Sequence, residues 1–175
     1  MTGPLFVCHA NCCRSVLACH LYRHLCSNAP AASGGFEPGE RISDRAAAML
    51  REWGIDASRH RPSRLTRDMC LRADAIFVMA PSYVHRLFRE CGEEFADKTY
   101  LFADPFSSPV GFGSGEYRVY DPSFDDRPAS LLVQEHAWMR ERVLQIRLAL
   151  LGDGRRLVAA REYLALCQAV DPHSH

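Results

Sequence analysis

Short apolar runs and amphipathic stripes alternate along the chain. Leu5, Phe6, Val7 and Cys8 follow Pro4 without a polar break, Ala75 to Met79 form a second such run, and Thr99 to Ala103 a third. Runs of this length suit strands buried on both faces. Between them the period lengthens. Leu17, Leu21 and Leu25 recur every fourth residue, as on one helix face. Ser43 is placed to cap a helix predicted from Asp44 to Trp53, with Ala46, Met49, Leu50 and Trp53 inward and Gly54 as its stop. Pro81 stands near the first turn of a helix carrying Val84, Leu87 and Phe88. Leu132, His136, Met139, Val143, Ile146 and Leu150 keep the helical repeat over a longer stretch. Gly152-Asp153-Gly154 breaks it, and Leu157, Ala160, Leu164 and Cys167 predict one more helix before a frayed tail from Asp171 to His175. Strands alternating with helices predict an α/β fold, a parallel sheet with helices on both faces.

At 175 residues the pattern fits one domain over residues 1–152 with an appended helix and tail over 153–175. Lysine plus arginine and aspartate plus glutamate each total 21, so no global field favours nucleic acid or an anionic membrane. An anion site must then be local. No apolar run approaches the ~18 residues that span a bilayer, and the N-terminus lacks the marks of an export signal, so the expected compartment is the cytoplasm. That compartment changes the meaning of the eight cysteines. Cys8, Cys12, Cys13, Cys19 and Cys26 crowd together while Cys70, Cys91 and Cys167 are scattered, and all are read as thiols, some buried and some reactive.

The first predicted strand and helix are joined by Cys8-His9-Ala10-Asn11-Cys12-Cys13-Arg14-Ser15, a Cys-x5-Arg-Ser loop. A loop leading from a strand into a helix directs backbone N–H groups and the positive end of the helix dipole at one point. A sulfur over that point is favoured as thiolate. Arg14, at the helix start, can set a planar fork of donors on two phosphate oxygens, and Ser15 can donate to the sulfur when it leaves. Without the strand before and the helix after, Cys8 would read as a buried cysteine and Arg14 as a solvated helix residue.

Phosphoryl transfer also needs a proton for the leaving oxygen, which one carboxyl group can supply before activating water. From Phe106 to Asp126 the chain is rich in glycine, serine, proline and aspartate, a long loop of the kind that carries function. Within it Asp121-Pro122 offers a carboxyl on a stiffened backbone. Asp104-Pro105 is the rival, directly after a strand, where it can equally be a turn.

The ordered combination of these motifs resembles the low-molecular-weight protein tyrosine phosphatase family. It rests on Cys8 to Ser15, on Gly54 to His60 with Arg64-Leu65-Thr66, on Ala73 to Met79, and on Val119-Tyr120-Asp121-Pro122 before a helix, spanning roughly residues 4 to 151. The resemblance implies a three-layer α/β sandwich with a four-stranded parallel sheet, no metal and no cofactor. It also implies an enzyme acting on a phosphorylated protein or small phosphomonoester. By matching position Cys8 is the nucleophile, Arg14 the phosphate ligand, Ser15 the thiolate partner, Asp121 the general acid, and Asn11 the residue that locks the loop. His9, Ala10, Asn11, Cys12 and Cys13 form the rest of the phosphate-binding loop, and Cys13 stands where family members supply a second thiol to an oxidised nucleophile. Phe36 matches an aromatic lining the substrate cleft. Phe124 follows Ser123 where many tyrosine-specific members carry paired tyrosines. Ala10 replaces the usual glycine, so the loop either accepts a methyl group or is strained.

Other readings share parts of this pattern. Arsenate reductases of the same fold need two relay cysteines after the third strand, but Met79 stands where the first is expected and Cys91 alone cannot complete the relay. Phosphoarginine phosphatases carry threonine at the position of Cys12. A metal protein would draw on His20, His24 and the nearby cysteines, but a second ligand pair is absent. A catalytically inactive phosphoprotein-binding module would keep the loop without turnover.

Overall fold

The computed structural model describes residues 3–103, 129–153 and 157–170. The alternating pattern becomes a sheet of four parallel strands in the order β2-β1-β3-β4, with β1 Leu5–Cys8, β2 Ala32–Gly35, β3 Ile76–Val78 and β4 Thr99–Leu101. Strand residues alternate between two cores, because successive side chains point to opposite faces. Phe6, Cys8, Phe77 and Met79 pack with Val16, Leu17 and Leu21 of α1 (Arg14–Leu25), Met49 and Leu50 of α2 (Asp44–Glu52), and Met139, Val143 and Ile146 of α5 (Ala129–Leu150). Leu5, Val7, Ile76 and Val78 face Cys70 of α3 (Arg67–Arg72), Val84 and Leu87 of α4 (Ser82–Cys91), and Ala160 of α6 (Ala160–Val170). The result is the expected three-layer sandwich.

Local chemistry sets most boundaries as the sequence predicts. Ser43 accepts a hydrogen bond from the Ala46 amide at the start of α2, and Gly54, just beyond its end, has φ of 74°, a conformation glycine adopts without penalty. Two short elements have no apolar pattern to announce them. Strand β2 reads Ala-Ser-Gly-Gly, and α3 is six residues long, capped by the Thr66 side chain. A 3-10 turn, Glu93–Lys98, leads into β4.

The last predicted helix starts later than its apolar stripe suggests. Residues 157–159 run beside the outer edge of β4, where the Leu101 amide donates to the Val158 carbonyl at 3.0 Å and Tyr100 bridges Ala159 in antiparallel sense. Only at Ala160 does α6 begin. The segment covers a sheet edge that would otherwise expose unpaired backbone groups.

This order places β1 in the middle of the sheet, so its carboxyl end and the following loop lie between β2 and β3. Central parallel strands are where an α/β sheet presents its crevice.

Candidate active site

The chain leaves β1 at Cys8 and enters α1 at Arg14, and five intervening residues close the loop. Its shape is imposed from outside. The Glu37 amide donates to the His9 carbonyl at 3.0 Å, the Gly39 amide to Ala10 at 2.9 Å, the Ser43 amide to Cys12 at 2.9 Å, and the Leu17 amide to Cys13 at 2.8 Å. The His60 ring bonds the Asn11 carbonyl through Nε2 at 3.2 Å, and a carbonyl partner requires that nitrogen to carry the proton. Every peptide carbonyl from residue 9 to residue 13 is therefore turned outward. In a trans peptide the N–H opposes the C=O, so the amides of residues 10–14 face the loop interior. The Asn11 amide does so within 3.3 Å of the Cys8 sulfur.

Asn11 takes the left-handed conformation the turn demands, with φ of 51°, where asparagine is among the tolerated residues. Its side chain is fully buried and ties two segments to the loop. Oδ1 accepts from the Ser63 amide at 3.0 Å, which leaves Nδ2 to donate to Ser15 Oγ at 2.9 Å. Since Ser15 Oγ accepts that proton, its own hydroxyl proton is available to Cys8 Sγ, 2.9 Å away. The asparagine thus sets the direction of the serine, and the serine that of the sulfur. Ala10 has no positive φ, so its methyl group is accepted without backbone strain and the alternative raised from the sequence falls away.

The remaining loop side chains divide by exposure. His9 points outward, its Nε2 3.6 Å from the Glu37 carboxylate. Cys12 is half-buried and its sulfur donates to the Ala10 carbonyl at 3.2 Å, while Cys13 is buried at the head of α1. Arg14 is buried, its Nη2 donating to the Tyr83 hydroxyl at 3.3 Å. Phe36, expected along the cleft, has no exposed surface and lies against Tyr83 with ring centroids 5.5 Å apart. Asp121, Asp104 and Phe124 lie outside the described residues.

His20 stacks edge-on against His60, centroids 5.6 Å apart. Burial and the neighbouring His60 and Arg23 push His20 down to about 4, and burial lowers His60 as well. Among the described residues no group of three or more His, Cys, Asp or Glu side chains is arranged to hold a metal. Cys70 and Cys91 share a thiol contact in the opposite core, where burial pushes Cys70 up to about 12.

His60, Ser63, Tyr83 and the amides of Glu37, Gly39 and Ser43 carry no hydrophobic periodicity of their own. Tyr83 is marked only by its position just after a strand on the central part of the sheet.

Residues 4–133 match the model of the low molecular weight phosphotyrosine protein phosphatase family. No curated protein matches the chain in sequence. Among solved structures it is similar to the low molecular weight protein tyrosine phosphatase of T. tengcongensis, with 27% identity, TM-score 0.65, and coverage of 82% of this chain and 95% of that one. It is similar to the YwlE arginine phosphatase of Geobacillus stearothermophilus at 25% identity and TM-score 0.65, covering 100% of this chain and 99% of that one. The tyrosine phosphatase Wzb of Escherichia coli K30, solved with sulphate, shares the fold at 20% identity and TM-score 0.68, covering 85% of this chain and 97% of that one.

Proposed function

Because the chain belongs to the low molecular weight phosphotyrosine protein phosphatase family, whose members are cysteine-dependent phosphatases, we propose that it hydrolyses phosphomonoesters through a phosphocysteine on Cys8. The observation that carries this reading is the convergence of the Ser15 hydroxyl, the Asn11 amide and the inward-facing loop amides on one sulfur. Inward amides neutralise the equatorial oxygens of a bound phosphate, as in other anion nests. Arg14 holds two of those oxygens and keeps phosphorus in line with Cys8 Sγ.

The sulfur attacks phosphorus, the P–O ester bond breaks, and the leaving oxygen takes a proton from Asp121. The Asp121 carboxylate then removes a proton from water, whose oxygen attacks phosphorus. The S–P bond breaks, and the departing thiolate receives the Ser15 hydrogen bond. Splitting the reaction into two displacements gives each a good leaving group.

The substrate is proposed to be a phosphotyrosyl protein acted on in the cytoplasm, and no described helix is long and apolar enough to cross a membrane. Phosphoarginine is the second reading, favoured by the likeness to an arginine phosphatase along the whole chain. A thiol relay of the arsenate reductase type has no support from Cys91, which packs in the core on the far side of the sheet from Cys8.

The deciding experiment compares turnover of phosphotyrosine, phosphoserine and phosphoarginine peptides and of arsenate, with Cys8→Ser as control. Cys8→Ser is expected to abolish turnover and retain phosphate binding. Activity near the parent level in that variant overturns the mechanism, and absence of turnover in the parent overturns the enzyme reading in favour of a binding module.

A further inference from the structure

We infer that Arg86 is the positioning residue for the first two peptides of the phosphate loop, clamping from α4 the segment whose amides turn those peptides; this rests on the reading of Cys8 to Ser15 as the phosphate site. The segment runs from Phe36 to Gly39, directly after β2. Its Glu37 and Gly39 amides hold the His9 and Ala10 carbonyls at 3.0 and 2.9 Å. The second of those peptides is tied at both ends, since its N–H, on Asn11, lies 3.3 Å from the Cys8 sulfur. Where the segment sits therefore decides where two of the inward amides point.

The segment is neither helix nor strand, Glu37 and Pro38 are exposed, and Pro38 has no amide to donate. Two of its residues meet one side chain on α4. The Arg86 guanidinium lies 4.6 Å from the centre of the Phe36 ring, and its Nη2 donates to Glu37 Oε1 at 2.7 Å. Phe36, which the resemblance places along the cleft, is fully buried and serves as the surface on which Arg86 rests. A β-carbon on Gly39 would collide with the Cys12 sulfur, so the segment lies directly against the loop and passes on any shift.

Arg86 is itself held. Its Nε donates to Glu90 Oε1 at 2.6 Å, one helical turn further on, and the other Glu90 oxygen faces Arg64 at 3.6 Å. An isolated surface ion pair contributes little, but a planar guanidinium fixed by two carboxylates and a ring face is held in one orientation. Arg86, with His9 adding to it, keeps Glu37 below the usual carboxylate range, so the pair stays charged at neutral pH. The second Glu37 oxygen lies 3.6 Å from His9 Nε2. The residue after the nucleophile is thus referred to Arg86 through side chain and main chain alike.

The test is Arg86→Gln, which keeps a polar side chain on α4 and removes the charge and the fork. Inorganic phosphate is titrated into nitrogen-15-labelled protein while the Ala10 and Asn11 amide resonances are followed. Both resonances are expected to be displaced before phosphate is added, and the dissociation constant for phosphate to rise about five-fold, the scale of a well-formed surface pair. Glu37→Gln is expected to displace the same resonances, and the double variant to bind no more weakly than Arg86→Gln alone, because both act through one clamp. Arg89→Gln, which removes the same charge from an exposed position on the same helix, is expected to keep parent values. Parent resonances and parent phosphate affinity in Arg86→Gln overturn the inference. So do an equal loss in Arg89→Gln, which would make the effect one of net charge, and losses that add in full in the double variant. If Arg86→Gln does not fold, Glu37→Gln decides, and parent resonances and affinity there overturn the inference as well. Binding is read without turnover, so these outcomes leave the phosphatase reading intact, which stands or falls on Cys8→Ser.

Discussion

A β-carbon on Gly35 would lie 2.7 Å from the Asn11 amide nitrogen and 2.6 Å from the His9 carbonyl oxygen. Glycine is needed there for space and not for conformation, since Gly35 has no positive φ. It ends β2 opposite Cys8, its amide donates to the Ser63 carbonyl at 3.0 Å, and its carbonyl accepts from the Leu65 amide at 2.7 Å. The loop that follows Cys8 is laid directly on this bare backbone. Neither neighbour is a flexible side chain, so a methyl group must displace the loop itself. Gly35→Ala is expected to cost about 1–3 kcal/mol of stability. If Cys8 is the nucleophile proposed above, its displacement by a fraction of an ångström is expected to lower kcat/KM by about 10². Urea unfolding and steady-state kinetics check both, and a folded variant with parent kinetics would show that the loop does not depend on this contact.

The same glycine shows why β2 escapes a hydrophobic reading of the sequence. Its Ala-Ser-Gly-Gly run holds no large apolar residue because its end is reserved for the loop crossing it. Strands β1 and β3 were legible because both faces of each are buried, β4 because Thr99 and Leu101 are buried on one face and Tyr100 is half-buried on the other, and α2 because its stripe, cap and terminating glycine agree. The Cys8 to Ser15 loop was legible because its elements flank it in sequence. What holds the loop was not, since Glu37, Gly39, Ser43, His60 and Ser63 act through backbone groups or single hydrogen bonds from segments distant along the chain. Such groups leave no period to detect. Tyr83 belongs with them, 69 positions from the arginine it meets.

Asp121 and Asp104 differ in what their removal should do to leaving groups. A general acid matters most where the departing oxygen is strongly basic. Asp121→Asn is expected to slow hydrolysis of a poor leaving group such as a simple alkyl or unsubstituted phenyl phosphate by about 10²–10⁴, and a nitrophenyl ester by much less. A plot of rate against leaving-group pKa should steepen accordingly. The same steepening in Asp104→Asn, with Asp121→Asn flat, transfers the role to Asp104.

Oxidation should distinguish the cysteines by position. Peroxide converts the Cys8 thiolate to a sulfenic acid with release of hydroxide, and attack by the Cys13 thiol on that sulfur forms a disulfide and releases water. Cys13 is buried at the head of α1 at the far end of the loop, while the half-buried Cys12 has its sulfur committed to the Ala10 carbonyl. Cys70, Cys91 and Cys19 are expected to remain thiols, because burial raises each of them. Brief peroxide is therefore expected to inactivate the protein reversibly, and Cys13→Ser to make the loss irreversible. Peptide mapping that joins Cys8 to Cys12, or finds no disulfide, would refute the pairing.

The stacked histidines beneath the loop predict a pH-dependent stability with a definite window. His20 titrates from 6.5 in the unfolded chain down to about 4 in the folded one, with burial as the first cause, His60 and Arg23 acting in the same direction, and Asp56 opposing. Above 6.5 both states hold a neutral ring and the group contributes no slope. Between 6.5 and about 4 the unfolded chain binds a proton that the folded chain refuses, so stability falls as pH falls. His60, also lowered by burial, adds to the same slope. The carboxylates with lowered values, Glu37, Asp44, Asp56 and Glu94, start from 4.5 or 3.8 and contribute chiefly below that range. Urea unfolding at about pH 7 and about pH 5 should therefore show a loss that belongs mainly to this pair. His20→Gln is expected to reduce the difference between the two pH values, whatever it does to stability at either one. An undiminished difference in that variant would mean that His20 takes up its proton in the folded protein as readily as in the unfolded chain.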